Sequence, residues 1–250
     1  MLTALNEIAA EQAQPTKSTL NKATKLLNYA STYPSTTVRY HASDMILHAE
    51  TDAAYLVMPN AKSRIAGYFY LSDTPPKPPI MPTPTRNGPL HIVCKTLRHV
   101  VASAAEAETG GLFINAQEAI PIRYLLTQLG HPQPPTPIKT DNSTTISFVN
   151  SNIRQKKSKS WDMRFHWLRD RETQNQFYYY WDRGIHNDAD YFTKHHSPKH
   201  HLANRHKFFH IPNLCNLLMC AAKRRGCVDP HWGHIINPLL THYDDVSHQS

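Results

Sequence analysis

The chain has 250 residues, 40% apolar and 18% charged, with 19 prolines and a formal charge of +8 at pH 7. That length holds one or two domains of ordinary size, and no window approaches the roughly 20 apolar residues that cross a bilayer, so no membrane span is expected. The basic excess suits a polyanionic partner such as nucleic acid, because Lys and Arg displace counterions from phosphates; a merely basic soluble protein fits the charge as well. The opening residues, MLTALNEIAAEQAQ, form a polar amphipathic run rather than a charged start followed by an apolar stretch. With no such leader and four cysteines, the expectation is an intracellular protein, cytoplasmic or nuclear, with reduced thiols.

Residues 4–31 read as helical, with Leu5, Ile8, Leu20, Leu26 and Leu27 near spacings of three and four. Pro15 breaks the run, and Thr16 to Thr19 open a second helix that carries Leu20 to Tyr29. Met45 to Tyr55 and Gly67 to Leu71 read as strands. Thr74 to Pro89 holds seven prolines in sixteen residues, which predicts an extended surface loop. Leu90 to Lys95 is a third strand.

Ala104 to Leu129 is the strongest helical stretch, with Leu112, Ala116, Ala119 and Ile120 on one face. Pro121 should kink it or begin a second helix, and Gly130 with Pro132 should stop it. Pro137 to Thr140 reads as a short buried strand, Ser143 to Asn150 and Ser160 to Thr173 as helices, Phe177 to Trp181 as a strand, and Asp188 to Lys194 as the start of a last helix. Strands in front and a helix–strand alternation behind predict an α/β fold, a mixed sheet with helices packed on it.

Four acidic residues stand at informative places. Asp52 closes the first strand, in HAETDAAY; Asp141 closes the fourth, in PIKTDNST; Asp190 opens the last helix, in HNDADYFTK; Glu108 lies on the long helix, in SAAEAETGGL. Carboxylates at strand ends can converge at one edge of a sheet, where they repel and resist desolvation unless cations neutralise them. Hard oxygen ligands suit Mg²⁺, and two such ions about 4 Å apart activate a water and stabilise the leaving oxygen of a phosphodiester. Taken singly, Asp141 also suits a helix N-cap and Asp190 a helix start.

The order of YHASDMILHAETDAAYL, SRIAGYFYLSD, VASAAEAE, PIKTDNSTTISFVN, KSWDMRFHWLRDR and NDADYFTKHH resembles the ribonuclease H domain of copia-type retrotransposon polyproteins, from about Leu5 to Arg205. The resemblance implies a ribonuclease H-like mixed five-stranded sheet. It implies two-metal hydrolysis of the RNA strand of RNA–DNA hybrids during reverse transcription, with Mg²⁺, or Mn²⁺ in its place. It assigns Asp52, Asp141 and Asp190 to the metal site, and the second glutamate of E-A-E, Glu108, rather than Glu106. Helical phase agrees with that choice. Glu108 precedes Leu112 by four residues and Ala116 by eight, on the face that packs against the sheet, while Glu106 points about 200° away.

The resemblance divides the chain into residues 1–43, similar to the tail that joins a polymerase to its ribonuclease H; 44–205, the ribonuclease H-like domain with its Pro-rich loop at 74–89; and 206–250, which have no assignment. No Tyr-x-Asp-Asp polymerase motif is present. A truncated copy is therefore expected, with a reverse transcriptase polymerase domain as a partner. Thr109-Gly110-Gly111 after E-A-E departs from the family pattern and hints at drift, since Gly costs roughly 1 kcal/mol against Ala in a helix.

Arg154 to Arg171 carries seven Lys or Arg against two Asp, with Trp161, Phe165 and Trp167 interleaved. Trp161, Phe165 and Leu168 are expected in the core; Lys156, Lys157, Lys159 and Arg164 are expected on hybrid phosphates. His186, in the loop before Asp190, is a candidate for proton transfer, or simply an exposed loop histidine. His195, His196, His200, His201, His206 and His210, with Cys215, Cys220 and Cys227, lack the paired short spacings of a zinc site. The alternative function is a catalytically inactive element remnant that only binds nucleic acid. An integrase-like nuclease is the third reading, and the S-A-A-E-A-E helix and A-D-Y-F-T-K ending speak against it.

Overall fold

The computed structural model describes residues 1–76, 80–150 and 159–210, apart from the side chains of 148, 150 and 159–162. In chain order these form α1 (Leu2–Ala10), α2 (Lys17–Thr32), β1 (Ile46–Met58), β2 (Lys62–Ser72), β3 (Pro89–Thr96), α3 (Ala104–Gln128), β4 (Thr136–Thr140), α4 (Ser143–Asn150), α5 (Lys159–Thr173), β5 (Phe177–Trp181), α6 (Asp190–Thr193) and α7 (Pro198–Asn204). The strands make one sheet, ordered β3-β2-β1-β4-β5. β1–β2 and β2–β3 pair antiparallel, and β1–β4 and β4–β5 pair parallel. This is the mixed five-stranded sheet with packed helices that the sequence pattern predicts.

β1 is buried along residues 46–54, on both faces, because helices cover both sides of the sheet. Its side chains alternate. Leu47 and Ala49 join Leu112, Ala116 and Ala119 of α3, together with Ile138, Phe165, Leu168 and Phe177, in the main core. Residues 48, 50 and 52 point the other way, so the period of two puts His48, Glu50 and Asp52 on a common face. On the α6 side a second core gathers Tyr68, Tyr70, Ala189, Phe192 and Phe208.

Several boundaries differ from the sequence reading. β2 begins at Lys62 rather than Gly67, as the antiparallel partner of a β1 that runs to Met58. α3 continues through Pro121 as one helix. Pro121 and Gln117 both lie on its exposed side, where water can serve the carbonyl that lost its helical donor. Thr16 caps α2 in a reciprocal capping box with Thr19. The end of the Pro-rich segment, at Thr85 and Asn87, is fastened to its surroundings. The buried Asn87 side chain donates to the His41 and Leu71 carbonyls, and Ser72 donates to the Thr85 carbonyl. Among the described residues no helix is long and apolar enough to cross a membrane.

Candidate active site

Asp52 sits on the central strand, and Asp141 directly follows β4. The parallel register pairs Glu50 with Lys139, so two residues further along Asp52 and Asp141 reach the same height on neighbouring strands. Glu108 arrives from the second turn of α3. Ser103 caps that helix by accepting from the Glu106 N–H, and Glu106 reaches back to accept from the Ala102 N–H at 2.7 Å. Glu106 is thereby occupied outside the site, and Glu108 is turned inward and buried, beside the Ala53 backbone.

One carboxylate oxygen from each of Asp52, Glu108 and Asp141 lies within 4.8 Å of the other two, the one such group of three metal-capable side chains among the described residues. Asp52 and Glu108 are buried and Asp141 is half-buried. Burial first, then neighbouring charge, raises the proton affinity of all three. Asp52 is pushed up to about 6, against the donated Thr193 hydroxyl. Glu108 rises well above the usual carboxylate range, through burial and the charges of Asp52 and Asp141. Asp141 rises through burial and the charge of Asp190. Glu108 Oε2 has no hydrogen-bond partner. Three crowded carboxylates with an unpartnered oxygen and an all-oxygen donor set fit a hard divalent cation.

Asp190 opens α6 but lies outside that trio, paired with Lys194 and partly exposed. Its charge is near enough to act on both Asp52 and Asp141. Gly184 backs Asp141: a Cβ there would lie 2.8 Å from Asp141 Oδ2. Trp181 Nε1 donates to the Asp141 carbonyl at 2.8 Å. His186 is exposed, with Nδ1 3.2 Å from Asp182 Oδ1.

Of the predicted phosphate contacts, Lys156 and Lys157 lie outside the described residues, and Lys159 opens α5. Arg164 is turned onto His99, 2.7 Å from Nε2, and onto the Phe113 ring. Phe165 and Leu168 are buried, while Trp167 packs edge-on against Phe113. Cys215, Cys220 and Cys227 also lie outside the described residues.

Sequence reasoning missed the support around the trio. Thr193 donates to Asp52 Oδ2, and Glu50, two residues before Asp52 on the same face, forms a buried ion pair with Lys139 at 2.7 Å. The strand alternation could have found Glu50. Thr193 lies in the A-D-Y-F-T-K ending, but nothing in that segment marks it as the partner of Asp52, 141 residues away.

No protein-family model and no curated protein matches the chain. Among solved structures, similarity is found to the N-terminal RNase H domain of a Mycobacterium tuberculosis protein, at 12% identity over 60% of this chain and 91% of that one, with a TM-score of 0.41. An RNase H1 isolated from compost by a metagenomic approach gives 10% identity over 59% and 92%, with a TM-score of 0.42. The protease–reverse transcriptase of prototype foamy virus gives 12% identity over 59% of this chain and 20% of that one, with a TM-score of 0.38.

Proposed function

We propose that the chain is the ribonuclease H domain of a copia-type retrotransposon polyprotein, an endonuclease that hydrolyses the RNA strand of RNA–DNA hybrids. The observation that carries this reading is the meeting of Asp52, Glu108 and Asp141, from three separate elements, within 4.8 Å. Two Mg²⁺ ions, or Mn²⁺, held by these three and Asp190 would polarise the scissile phosphate and activate a water.

The chain's own residues divide the remaining work. Asp52 is held rigidly on the central strand, with Thr193 fixing one oxygen. Glu108 is buried and keeps Oε2 unpartnered for a cation. Gly184 leaves Asp141 Oδ2 unobstructed on one side. Asp190, partly exposed and partnered by Lys194, would complete the ligand set from α6. Lys156, Lys157, Lys159 and Arg164 would grip the hybrid through its phosphates, a contact that fixes position without reading sequence. His186 would serve proton transfer from its loop. A polymerase domain would act in the same pathway as a separate partner.

The test is cleavage of a labelled RNA–DNA hybrid in Mg²⁺ by the purified chain and by its Asp141→Asn variant. Cleavage by the first and none by the second is expected. Equal product from both would overturn the nuclease reading, and hybrid binding without any cleavage would favour an inactive remnant.

A further inference from the structure

Helix α1 is tied to the end of α6. The Thr3 hydroxyl donates to the Phe192 carbonyl at 3.2 Å, and the Cys94 thiol reaches the same carbonyl from β3. Arg64 of β2, 1% exposed, donates to the Thr193 carbonyl at 3.2 Å and pairs with Glu7 of α1 at 2.6 Å. Glu7 also lies 2.6 Å from His195 Nε2. A four-residue helix leaves its last carbonyls without internal donors, and these contacts supply them.

A buried guanidinium is costly without a counter-charge. Among the described residues Glu7 is the carboxylate that forms an ion pair with Arg64. The chain of contacts then runs from Glu7 through Arg64 to the backbone of Thr193, whose hydroxyl is 2.5 Å from Asp52 Oδ2 and 3.0 Å from the Asp190 carbonyl.

We propose that Glu7 is a positioning residue of the site: through Arg64, helix α1 holds α6 so that Thr193 fixes Asp52 and Asp190 stands beside it. This rests on the metal-site reading above, and it makes residues at the start of the chain a working part of that site.

The full chain and its Glu7→Gln variant are compared by Mn²⁺ titration and by amide hydrogen exchange. The variant is expected to bind Mn²⁺ about tenfold more weakly, within the roughly 10–100-fold losses seen when an outer support of a metal ligand is removed. Amides 190–194 should exchange faster, while those of β1 and β4 do not change. In a Thr193→Val background, where only the placement of Asp190 is left to lose, Glu7→Gln should cause a clearly smaller further loss of Mn²⁺ affinity, a result that general destabilisation would not give. If Glu7→Gln does not fold, Thr3→Val, which removes one hydrogen bond at constant shape, takes its place. Wild-type affinity and exchange in the variant, or an equal loss in both backgrounds, would overturn the proposal. A wild-type chain that binds no Mn²⁺ would overturn the metal reading instead, and exchange at 190–194, which needs no ion, would then decide the role of Glu7 alone.

Discussion

Asp52 shows how the site is held at the level of single residues. Its carboxyl is pushed up to about 6, by burial first and by the charges of Asp190 and Asp141 after that, so the ion-free fold resists its ionisation. A shift of about two units corresponds to roughly 3 kcal/mol. The folded state binds the proton more tightly than the unfolded one, so this contribution is present below about pH 4 and lost as pH rises towards 6. His48 opposes it. Burial lowers that imidazole from 6.5 to about 4, so its contribution grows over the same window. The two are separated by difference: in the absence of divalent ions, Asp52→Asn should gain stability over the wild type as pH rises from 4 to 6, by about 2–3 kcal/mol. Urea denaturation at several pH values measures this. Added Mg²⁺ should stabilise the wild type and leave the variant unmoved; a gap independent of pH would show that Asp52 ionises without cost.

At the scale of elements, α3 decides the geometry because it lies close over β1 and β2. Asn115 is buried and donates to Thr51 Oγ1 at 2.7 Å and to the Ala66 carbonyl at 2.8 Å. That approach requires a glycine beneath it. A Cβ at Gly67 would stand 2.2 Å from Asn115 Oδ1 and 2.8 Å from the Phe69 ring. Gly67→Ala should therefore destabilise by about 1–3 kcal/mol, the usual cost of overpacking. Gly111 also faces the strands, but a Cβ there meets Ile65, Ala53 and Asp52 only at 3.4–3.5 Å, ordinary contact. Gly111→Ala should thus be neutral or stabilising by up to about 1 kcal/mol, from helix propensity. Denaturant midpoints of the two variants should move in opposite directions or differ clearly in size; a matching loss in both would mean that α3 is tighter at Gly111 than these distances allow.

At the scale of the whole molecule, a buried polar network joins segments far apart in sequence. Lys139 of β4 pairs with Glu50 of β1 and donates to the His186 carbonyl. Glu50 also accepts from the Asp188 N–H at 2.7 Å, and Tyr70 donates to it. Asp188 pairs in turn with Arg86 of the Pro-rich segment and lies 3.7 Å from Lys207. Removing one partner leaves an uncompensated buried charge, so Lys139→Met should cost about 3–5 kcal/mol. Pairing it with Glu50→Gln should recover much of that loss, which thermal or urea unfolding of both variants would show. Additive losses would mean that the ion pair is not what holds these segments together.

Local patterning by itself determined the strands and most helices of this protein: the apolar face of α3, the Thr16 start of α2, the FYYYW strand and the place of Asp141 just after β4. Those signals are periodic and act over a few residues, so they are written in the chain. Helical phase likewise separated Glu108 from Glu106, and the structure adds that Glu106 is used in the cap. Asp52, expected to close the first strand, instead lies inside β1, which runs on to Met58 as the antiparallel partner of β2. What only the tertiary structure decided is which distant groups complete one another. The parallel register of β1 and β4 brings Asp52 level with Asp141, Thr193 arrives 141 residues from Asp52, and Glu7 reaches Arg64 from the first helix. Pairings of that kind depend on how the layers pack, and no local spacing encodes them.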